Sequence, residues 1–314
     1  MSVLPVVPAH QLASRPEEQR WLVESLWADE AVGIVGGEPK CCKSFLALDM
    51  AVSVATGKPC LRRFAVTRPG PVLLYAAEDA SHVVRERLDG ICRAVGISFD
   101  KLDVQVITVP VLRLDLEDDR ARIEETVAAY QPRLLVLDPF VRLHRIDENV
   151  SGEVAPLLAY LRELQRRYHS AVVLVHHARK GAARVRAGQA LRGSSEFHAW
   201  GDSNLYMRRV GEQLALTVEQ RAAASVPRIS LELASLDDAL ALNVVEAAAS
   251  AASGPAPSAK QLVERVLAES SGPLTLRELR STCRIRTATL SQLLGELVAQ
   301  GRAQRTAAGF LAAP

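Results

Sequence analysis

The chain has 314 residues, 48% of them hydrophobic, and a formal net charge of +2. This length predicts one large or two unequal domains with a sizeable core, and the near-neutral charge gives the whole chain no general attraction to polyanions. The five cysteines include no C-x-x-C pair, no apolar run reaches 18 residues, and the N-terminus has no basic leader region. We therefore expect a cytoplasmic protein with reduced thiols and no membrane span.

The first predicted elements are a strand over residues 31–36, a glycine-rich turn and a helix over Lys43–Thr56. Residues 37–44 follow the phosphate-loop pattern G-x-x-x-x-G-K-[ST], except for one position. In such loops backbone N–H groups and a helix N-terminus cradle phosphates, a lysine reaches the β- and γ-phosphates, and a hydroxyl binds Mg²⁺. The predicted nucleotide-binding residues of the loop are Gly37, Glu38, Pro39, Lys40, Cys41, Cys42, Lys43, Ser44 and Phe45.

Cys42 is the departure from the pattern, because it stands where the second glycine belongs. Glycine adopts a positive φ without penalty, whereas the β-carbon of cysteine makes that conformation costly. Two outcomes follow. Either the loop is impaired, or the thiol faces away from the phosphates and the backbone keeps its shape. We expect the second, since the other residues of a nucleotide site are present in order.

Later apolar segments predict further strands that alternate with helices. The predicted strands are 71–77, 104–109, 134–137 and 171–175, and the predicted helices are 81–95, 117–130 and 154–168. This alternation indicates an α/β fold with a mostly parallel sheet covered on both faces. Ligands bind beyond the carboxyl ends of strands in such sheets, so the polar residues at those ends are the candidate site.

Three strand ends supply candidate catalytic groups. Asp138 is expected to hold Mg²⁺ together with the Ser44 hydroxyl, as a Walker B acid does. Glu78 is the preferred general base for the attacking water, with Asp79 as its competitor for that role or for capping a helix. His177, the second histidine of a pair, is expected to contact the γ-phosphate. The alternatives for that pair are a metal site or a core histidine.

Two groups of basic residues follow. Residues 178–192 contain no acid and predict a loop that contacts nucleic acid, with a solvated loop as the alternative. The predicted DNA-binding residues of this loop are Arg179, Lys180, Arg184, Arg186 and Arg192. Arg208, Arg209 and Arg221 lie on or beside late strands. One of them is a candidate for the arginine that completes a neighbouring subunit's site, and surface solvation is the alternative for each.

The remaining segments define the predicted domain organisation. Residues 1–30 precede the core or pack on it, 31–246 form the ATPase domain, 247–258 are an Ala/Ser/Pro-rich linker, and 259–314 form a winged-helix-like domain. Segments 214–219 and 228–233 predict antiparallel edge strands. The C-terminal 60 residues carry eight Lys and Arg against four Asp and Glu. Arg284 and Arg286, before the last predicted helix, are therefore candidate contacts to duplex DNA, and a protein partner is the alternative.

The motifs together resemble the RepA-type ATPases, which are RecA-like relatives of hexameric helicases found with plasmid replication. The resemblance covers about residues 18–235 and rests on the loop, on A-A-E-D at 76–79, on L-V-L-D-P at 135–139 and on V-H-H-A-R-K at 175–180. It implies a RecA-like P-loop NTPase core with a twisted sheet and a six-membered ring with ATP between subunits. Arg208 or Arg221 would be the arginine finger, and the basic loop would line a central channel.

Three functions are compatible with these residues. The first is a ring-forming ATPase that moves on single-stranded DNA, which the strand-end motifs and the basic loop favour. The second is a DNA-binding regulator in which ATP drives assembly, and the third is an ATPase that recruits a protein partner. The C-terminal domain distinguishes them, because it would bind duplex DNA in the second and protein in the third.

Overall fold

The computed structural model describes residues 4–12, 14, 16, 19–177, 196–211, 213–223, 226–236, 239–245, 259–270, 272–283, 287–306 and 308–313. The chain divides into two units, Met1–Glu246 and Ala247–Pro314. No helix of the described residues is long and apolar enough to cross a membrane.

The first unit is built from strands and helices that alternate along most of its length. Its strands are β1 (Trp21–Val23), β2 (Trp27–Ala28), β3 (Val32–Gly37), β4 (Val72–Ala76), β5 (Val104–Val106), β6 (Leu134–Asp138), β7 (Ala171–His177), β8 (Ser203–Val210), β9 (Gln213–Gln220), β10 (Ile229–Leu236) and β11 (Ala239–Val244). Its α-helices are α1 (Lys43–Thr56), α2 (Ser81–Ala94), α3 (Glu117–Tyr130), α4 (Ser151–Tyr168) and α5 (Glu196–Trp200).

Nine of these strands form one sheet in the order β11-β10-β9-β8-β3-β7-β6-β4-β5. The six strands from β8 to β5 run parallel, and β9, β10 and β11 continue the sheet antiparallel. The predicted α/β class with a mostly parallel sheet is thus confirmed. The expectation that segments 214–219 and 228–233 are edge strands is wrong, because β8 and β11 flank them and β11 takes the edge.

Alternation along the strands separates two hydrophobic layers. In β7, Val173 and Val175 face the layer that contains α1 and α2, whereas Val172 and Leu174 face the layer that contains α3 and α4. Successive side chains of a strand point to opposite faces, so a strand buried on both sides reads as an unbroken apolar run. Helices therefore cover both faces of the parallel strands.

The segment before β3 contributes to the core. Leu22, Val23, Leu26 and Trp27 are fully buried in the same layer as α1, and the Trp27 indole N–H donates to the Ala31 carbonyl at 3.3 Å. Residues 21–30 are therefore part of the sheet domain. Residues 4–12 are exposed along their whole length.

A buried carboxylate in the middle of helix α1 anchors the turn that follows the helix. Asp49 is 1% exposed and accepts hydrogen bonds from the Leu61 N–H at 2.7 Å and from Arg62 Nη1 at 2.9 Å. Both Leu61 and Arg62 have positive φ values, 52° and 58°, which side chains disfavour. The Asp49 carboxylate thus holds a strained turn against the helix that begins at the phosphate loop.

The second unit contains α6 (Ala259–Glu269), α7 (Leu276–Cys283), α8 (Thr287–Ala299) and a hairpin of β12 (Ala303–Thr306) and β13 (Gly309–Ala312). Its core is formed by Val263, Leu267, Leu279, Leu290, Leu294 and Leu297. Thr275 and Glu278 exchange hydrogen bonds at the start of α7, which is a capping box. The winged-helix-like assignment of this unit remains a prediction.

Replacing Asp49 by alanine should lower the free energy of unfolding by about 3 kcal/mol, because the Arg62 guanidinium and the Leu61 N–H lose a buried partner. Urea denaturation measures the change. Asp89→Ala is the matched control, since Asp89 pairs with Arg93 on the surface and should change stability by less than about 0.5 kcal/mol. Equal effects of the two substitutions would show that the buried carboxylate does not hold the turn.

Candidate active site at the carboxyl edge of the parallel strands

The phosphate loop begins at the end of β3, and β3 lies between the neighbouring strands β7 and β8. Gly37 lies opposite His177 of β7 and Met207 of β8. A β-carbon on Gly37 would lie 2.2 Å from the Met207 carbonyl oxygen and 2.8 Å from Cys41 Sγ. Only glycine fits this close approach of the two backbones, so the first glycine of the motif is required by packing as well as by the turn.

Cys42 adopts the backbone conformation that the motif assigns to glycine. Its φ and ψ are 63° and 28°, in the left-handed region, and its carbonyl accepts the first hydrogen bond of α1 from Leu46 at 3.1 Å. A left-handed residue other than glycine costs about 1–2 kcal/mol. The half-buried thiol packs against the hydrophobic layer beneath α1. The loop therefore keeps the left-handed turn before α1, and the cost of the cysteine is backbone strain.

Lys43 lies within the loop, with only 5% of its surface exposed. Its Nζ donates to the Glu38 carbonyl at 2.8 Å, and the Cys41 thiol donates to the same oxygen at 2.8 Å. Burial lowers the pKa of Lys43, while the nearby Cys41, Asp138 and Glu78 raise it. The ammonium thus sits in a desolvated place close to both predicted acids, where an anionic phosphate would offset its burial.

Asp138 and Ser44 meet at the end of β6. Asp138 is 9% exposed, and burial raises the pKa of its carboxyl to about 6, with further increases from Asp79 and Glu78. The Ser44 hydroxyl lies close enough to this carboxylate to oppose the increase in its pKa, and Lys43 opposes the increase as well. A hydroxyl and a carboxylate are the hard oxygen ligands that Mg²⁺ prefers, and a cation here would stabilise the buried charge of Asp138. The residues present therefore fit a magnesium ion.

The two candidate general bases are both ion-paired. Arg142 Nε lies 3.1 Å from Glu78 Oε1, and Arg87 pairs with Asp79. Glu78 is the more exposed carboxylate, at 44% of its side chain against 29% for Asp79. Both carboxylates influence the pKa of Asp138, so both lie beside the predicted magnesium ligand. Glu78 and Asp79 therefore both lie at the site, and both remain candidates for the general base.

The two histidines at the end of β7 have different surroundings. His176 is 1% exposed, stacks on Phe197 at 4.4 Å between ring centroids, and meets the edge of Phe140 at 5.9 Å. His177 is half-buried and lies opposite Gly37, where the phosphate loop begins. His176 is thus the core histidine of the pair, and His177 is the one beside the loop. Among the described residues, no group of three or more His, Cys, Asp or Glu could hold a metal ion.

The candidate arginines lie at opposite edges of the sheet, at the two ends of strand β8. Arg208 and Arg209 end β8 beside the phosphate loop, and Arg209 Nη2 donates to the Lys40 carbonyl at 3.4 Å. Arg221 follows β9 at the opposite edge, where it pairs with Asp202 at 3.3 Å and donates to the Trp200 carbonyl at 3.4 Å. Arg221 is therefore remote from the phosphate loop, and its role as an arginine finger stays a prediction.

Sequence reasoning missed the arginines that surround the acids. Arg87 on α2 pairs with Asp79 and lies over the Phe45 ring at 5.1 Å, and Arg142 follows Asp138 by four residues. A sequence signal for both arginines exists. Arg87 lies in the helix that follows the Glu78–Asp79 strand end, and Arg142 comes shortly after β6, so both could have been predicted at this edge of the sheet. The basic loop leaves β7 directly after His177, but Arg179, Lys180, Arg184, Arg186 and Arg192 lie outside the described residues, as do Arg284 and Arg286.

The described exposed face of α8 in the second unit has no basic residue. It carries Thr289, Ser291, Gln292, Gly295 and Val298. The unit's cations lie elsewhere: Arg302 pairs with Glu264 at 3.0 Å, and Arg277 and Arg280 are exposed on α7. A DNA-reading helix is expected to offer cations to phosphates, so this composition favours α7 over α8 as a basic surface.

The fold and the site define a P-loop ATPase. The sequence matches the AAA_25 family, described as an AAA domain, over residues 2–183. That match spans more than half of the chain, and the protein belongs to this family.

Solved structures with a similar fold support the same architecture. One is an ATPase domain with a TM-score of 0.55 at 11% identity, over 70% of this chain and 87% of that one. The RadB recombinase has a TM-score of 0.51 at 16% identity, over 69% of this chain and 92% of that one. A KaiC-like protein from Pyrococcus horikoshii OT3 has a TM-score of 0.50 at 14% identity, over 72% and 94%. These likenesses are of fold, and the first unit shares the α/β architecture of these structures.

Replacing Ser44 by alanine should raise the pKa of Asp138 above about 6 in nucleotide-free protein, because the hydroxyl stabilises the ionised carboxylate. The pH dependence of the Asp138 carboxyl carbon in an NMR titration measures it. Ser151→Ala, at the exposed start of α4, is the control and should leave the midpoint in place. A midpoint that stays or falls in Ser44→Ala would contradict this effect of the hydroxyl.

Replacing Cys42 by glycine should change the affinity for nucleotide by less than about twofold, because the backbone already has the left-handed shape that glycine adopts. The same change should raise the free energy of unfolding by up to about 1 kcal/mol through relief of strain. Cys42→Val, with a branched β-carbon at the same φ, should weaken both. Calorimetry with MgATP and urea denaturation measure the two effects. A large gain in affinity for Cys42→Gly would show that the thiol impairs the loop.

Proposed function

We propose that this protein is an ATP-hydrolysing, ring-forming motor that acts on single-stranded DNA, similar to the RepA-type helicases. The observation that carries the proposal is the meeting of Ser44, Lys43 and Asp138 with the carboxylates of Glu78 and Asp79 at one edge of the sheet. Phosphoryl transfer needs this combination of positioned phosphates, a metal site and a group that orients water.

Each residue has a distinct part in the proposed reaction. Backbone N–H groups of the loop and the Lys43 ammonium bind the phosphates. Ser44 and Asp138 would hold Mg²⁺, which would supply positive charge against the charge that develops on the transferred phosphoryl group. Glu78 accepts a proton from the attacking water or orients it. His177, beside the loop, contacts the γ-phosphate and reports its loss.

The DNA and assembly parts of the proposal have separate support. One of the structural neighbours is an ATPase domain, and another is a recombinase. The basic segment 179–192 closely follows His177 in the sequence, and His177 lies opposite Gly37, where the phosphate loop begins. A neighbour's Arg208 or Arg221 would complete the site in a ring, which we infer to have six members.

A second function is favoured by the second unit. The described exposed side chains of its helix α8 are polar, apolar and acidic, with none basic, which suits a protein partner better than a phosphate backbone. In this version the ATPase recruits a partner and has no helicase activity. Binding of duplex DNA by the second unit would instead indicate an ATP-dependent DNA-binding regulator.

Single-stranded DNA should stimulate ATP hydrolysis by the wild-type protein, and Lys43→Ala should lower turnover by at least about 100-fold, because the transition-state charge loses its buried cation. Steady-state phosphate release with and without DNA measures both. Lys58→Ala, on the exposed turn after α1, is the matched control and should keep wild-type turnover. Particle size with and without ATP tests the ring.

If single-stranded DNA does not stimulate hydrolysis, the proposed motor function is wrong and the partner-recruiting ATPase is favoured. Equal activity of the wild type and Lys43→Ala would overturn the assignment of the site itself.

A further inference from the structure

The alternation of side chains along β8 separates its two terminal arginines. Leu205 and Met207 face the layer of α1, and Tyr206 faces the opposite layer. Continued alternation directs Arg209 to the face of α1 and Arg208 to the other face. Because β8 is the parallel neighbour of β3, with Met207 opposite Gly37, Arg209 extends past the point where the phosphate loop begins.

Arg209 touches the loop of its own subunit. Its Nη2 donates to the Lys40 carbonyl at 3.4 Å, and its charge acts on Cys42 two residues further on. Burial raises the pKa of the Cys42 thiol, and Arg209, followed by Arg87 and Lys43, opposes that increase. Arg209 thus lies close to the turn that precedes α1.

The charge balance at this edge distinguishes Arg209 from its neighbours. Arg87 pairs with Asp79 and Arg142 pairs with Glu78, whereas Arg209 has no carboxylate partner within the part of the chain that the structure describes. A guanidinium has five N–H donors in a planar fork that matches phosphate oxygens, and the long contact with Lys40 uses one of them. An arginine without an acid beside a phosphate loop is suited to bind an anion.

We propose that Arg209 is a phosphate-binding residue that acts in its own subunit, where it grips the polyphosphate chain of the bound nucleotide from the β8 side of the loop. This rests on the proposed nucleotide site and adds a contact to it. The contact with Lys40 holds the guanidinium at the loop, and the remaining donors bind phosphate oxygens. This assigns Arg209 a role within its own subunit, whereas Arg208 or Arg221 would act across a subunit boundary.

Calorimetric titration of the full chain with MgATP and MgADP tests the contact. Arg209→Ala and Arg209→Gln should each weaken nucleotide binding by about 10-fold or more, since a hydrogen bond to a charged group is lost. Arg209→Lys should retain part of the affinity, because it keeps the charge. Arg167→Ala, which removes an exposed arginine paired with Glu124 and Glu163 on the far side of α4, is the control and should bind as the wild type does.

The glutamine variant separates phosphate binding from a purely structural role. Glutamine can still donate to the Lys40 carbonyl but carries no charge. Wild-type affinity in Arg209→Gln would mean that the residue only positions the loop, and wild-type affinity in Arg209→Ala would mean that it has no role in binding. Either result overturns the inference and leaves the proposed ATPase function in place. A wild-type protein that binds no nucleotide would overturn the proposed function instead.

Mixing subunits tests whether Arg209 acts in its own site. Arg209→Ala and Lys43→Ala proteins are mixed, and ATP hydrolysis is compared with the sum of the separate activities. A residue that acts in its own subunit gives no gain, because no subunit of the mixture has both Lys43 and Arg209. Recovery of activity would place Arg209 across the boundary, since a Lys43→Ala subunit would then complete the site of its neighbour, and would overturn the inference.

Discussion

The close approach of β3 and β8 is the constraint on which the site depends. A β-carbon on Gly33 would lie 1.7 Å from the Ser203 carbonyl oxygen, and one on Gly37 would lie 2.2 Å from that of Met207. Glycine at both positions lets β8 lie directly against the strand that delivers the phosphate loop. That contact brings the end of β8 to the edge of the sheet where the phosphate loop begins.

The chemistry at this edge rests on charges that share a desolvated space. Burial penalises the ionised forms of both Lys43 and Asp138, and each stabilises the charge of the other. Glu78 and Asp79 add negative charge, which Arg142 and Arg87 partly offset. Bound phosphates and a bound cation would stabilise these buried charges, because the low local dielectric strengthens every new ionic contact.

Particular residues explain which parts of the fold followed from the sequence. The bounds of α1 and α3 were predicted correctly, because a glycine after Thr56 and acids in the first turn of α3 mark their ends. Strand β8 was not predicted, since it begins with Ser203 and Asn204. Both are buried, and both bond to partners far away in the sequence: Ser203 Oγ accepts from the Ala28 N–H and Asn204 Oδ1 from the Ile34 N–H. No local pattern contains those contacts.

The sequence by itself determined the phosphate loop, its helix and the strand-end acids, because each is encoded by residues that are neighbours along the chain. Only the tertiary structure decided that Cys42 adopts the left-handed conformation, that His176 belongs to the core while His177 faces the loop, and that Arg209 rather than Arg221 lies beside Lys40. These outcomes depend on strand order, register and the packing of one layer against another. The pairing of β3 with β7 and β8 sets them, through contacts between segments about 140 and about 170 residues apart along the chain.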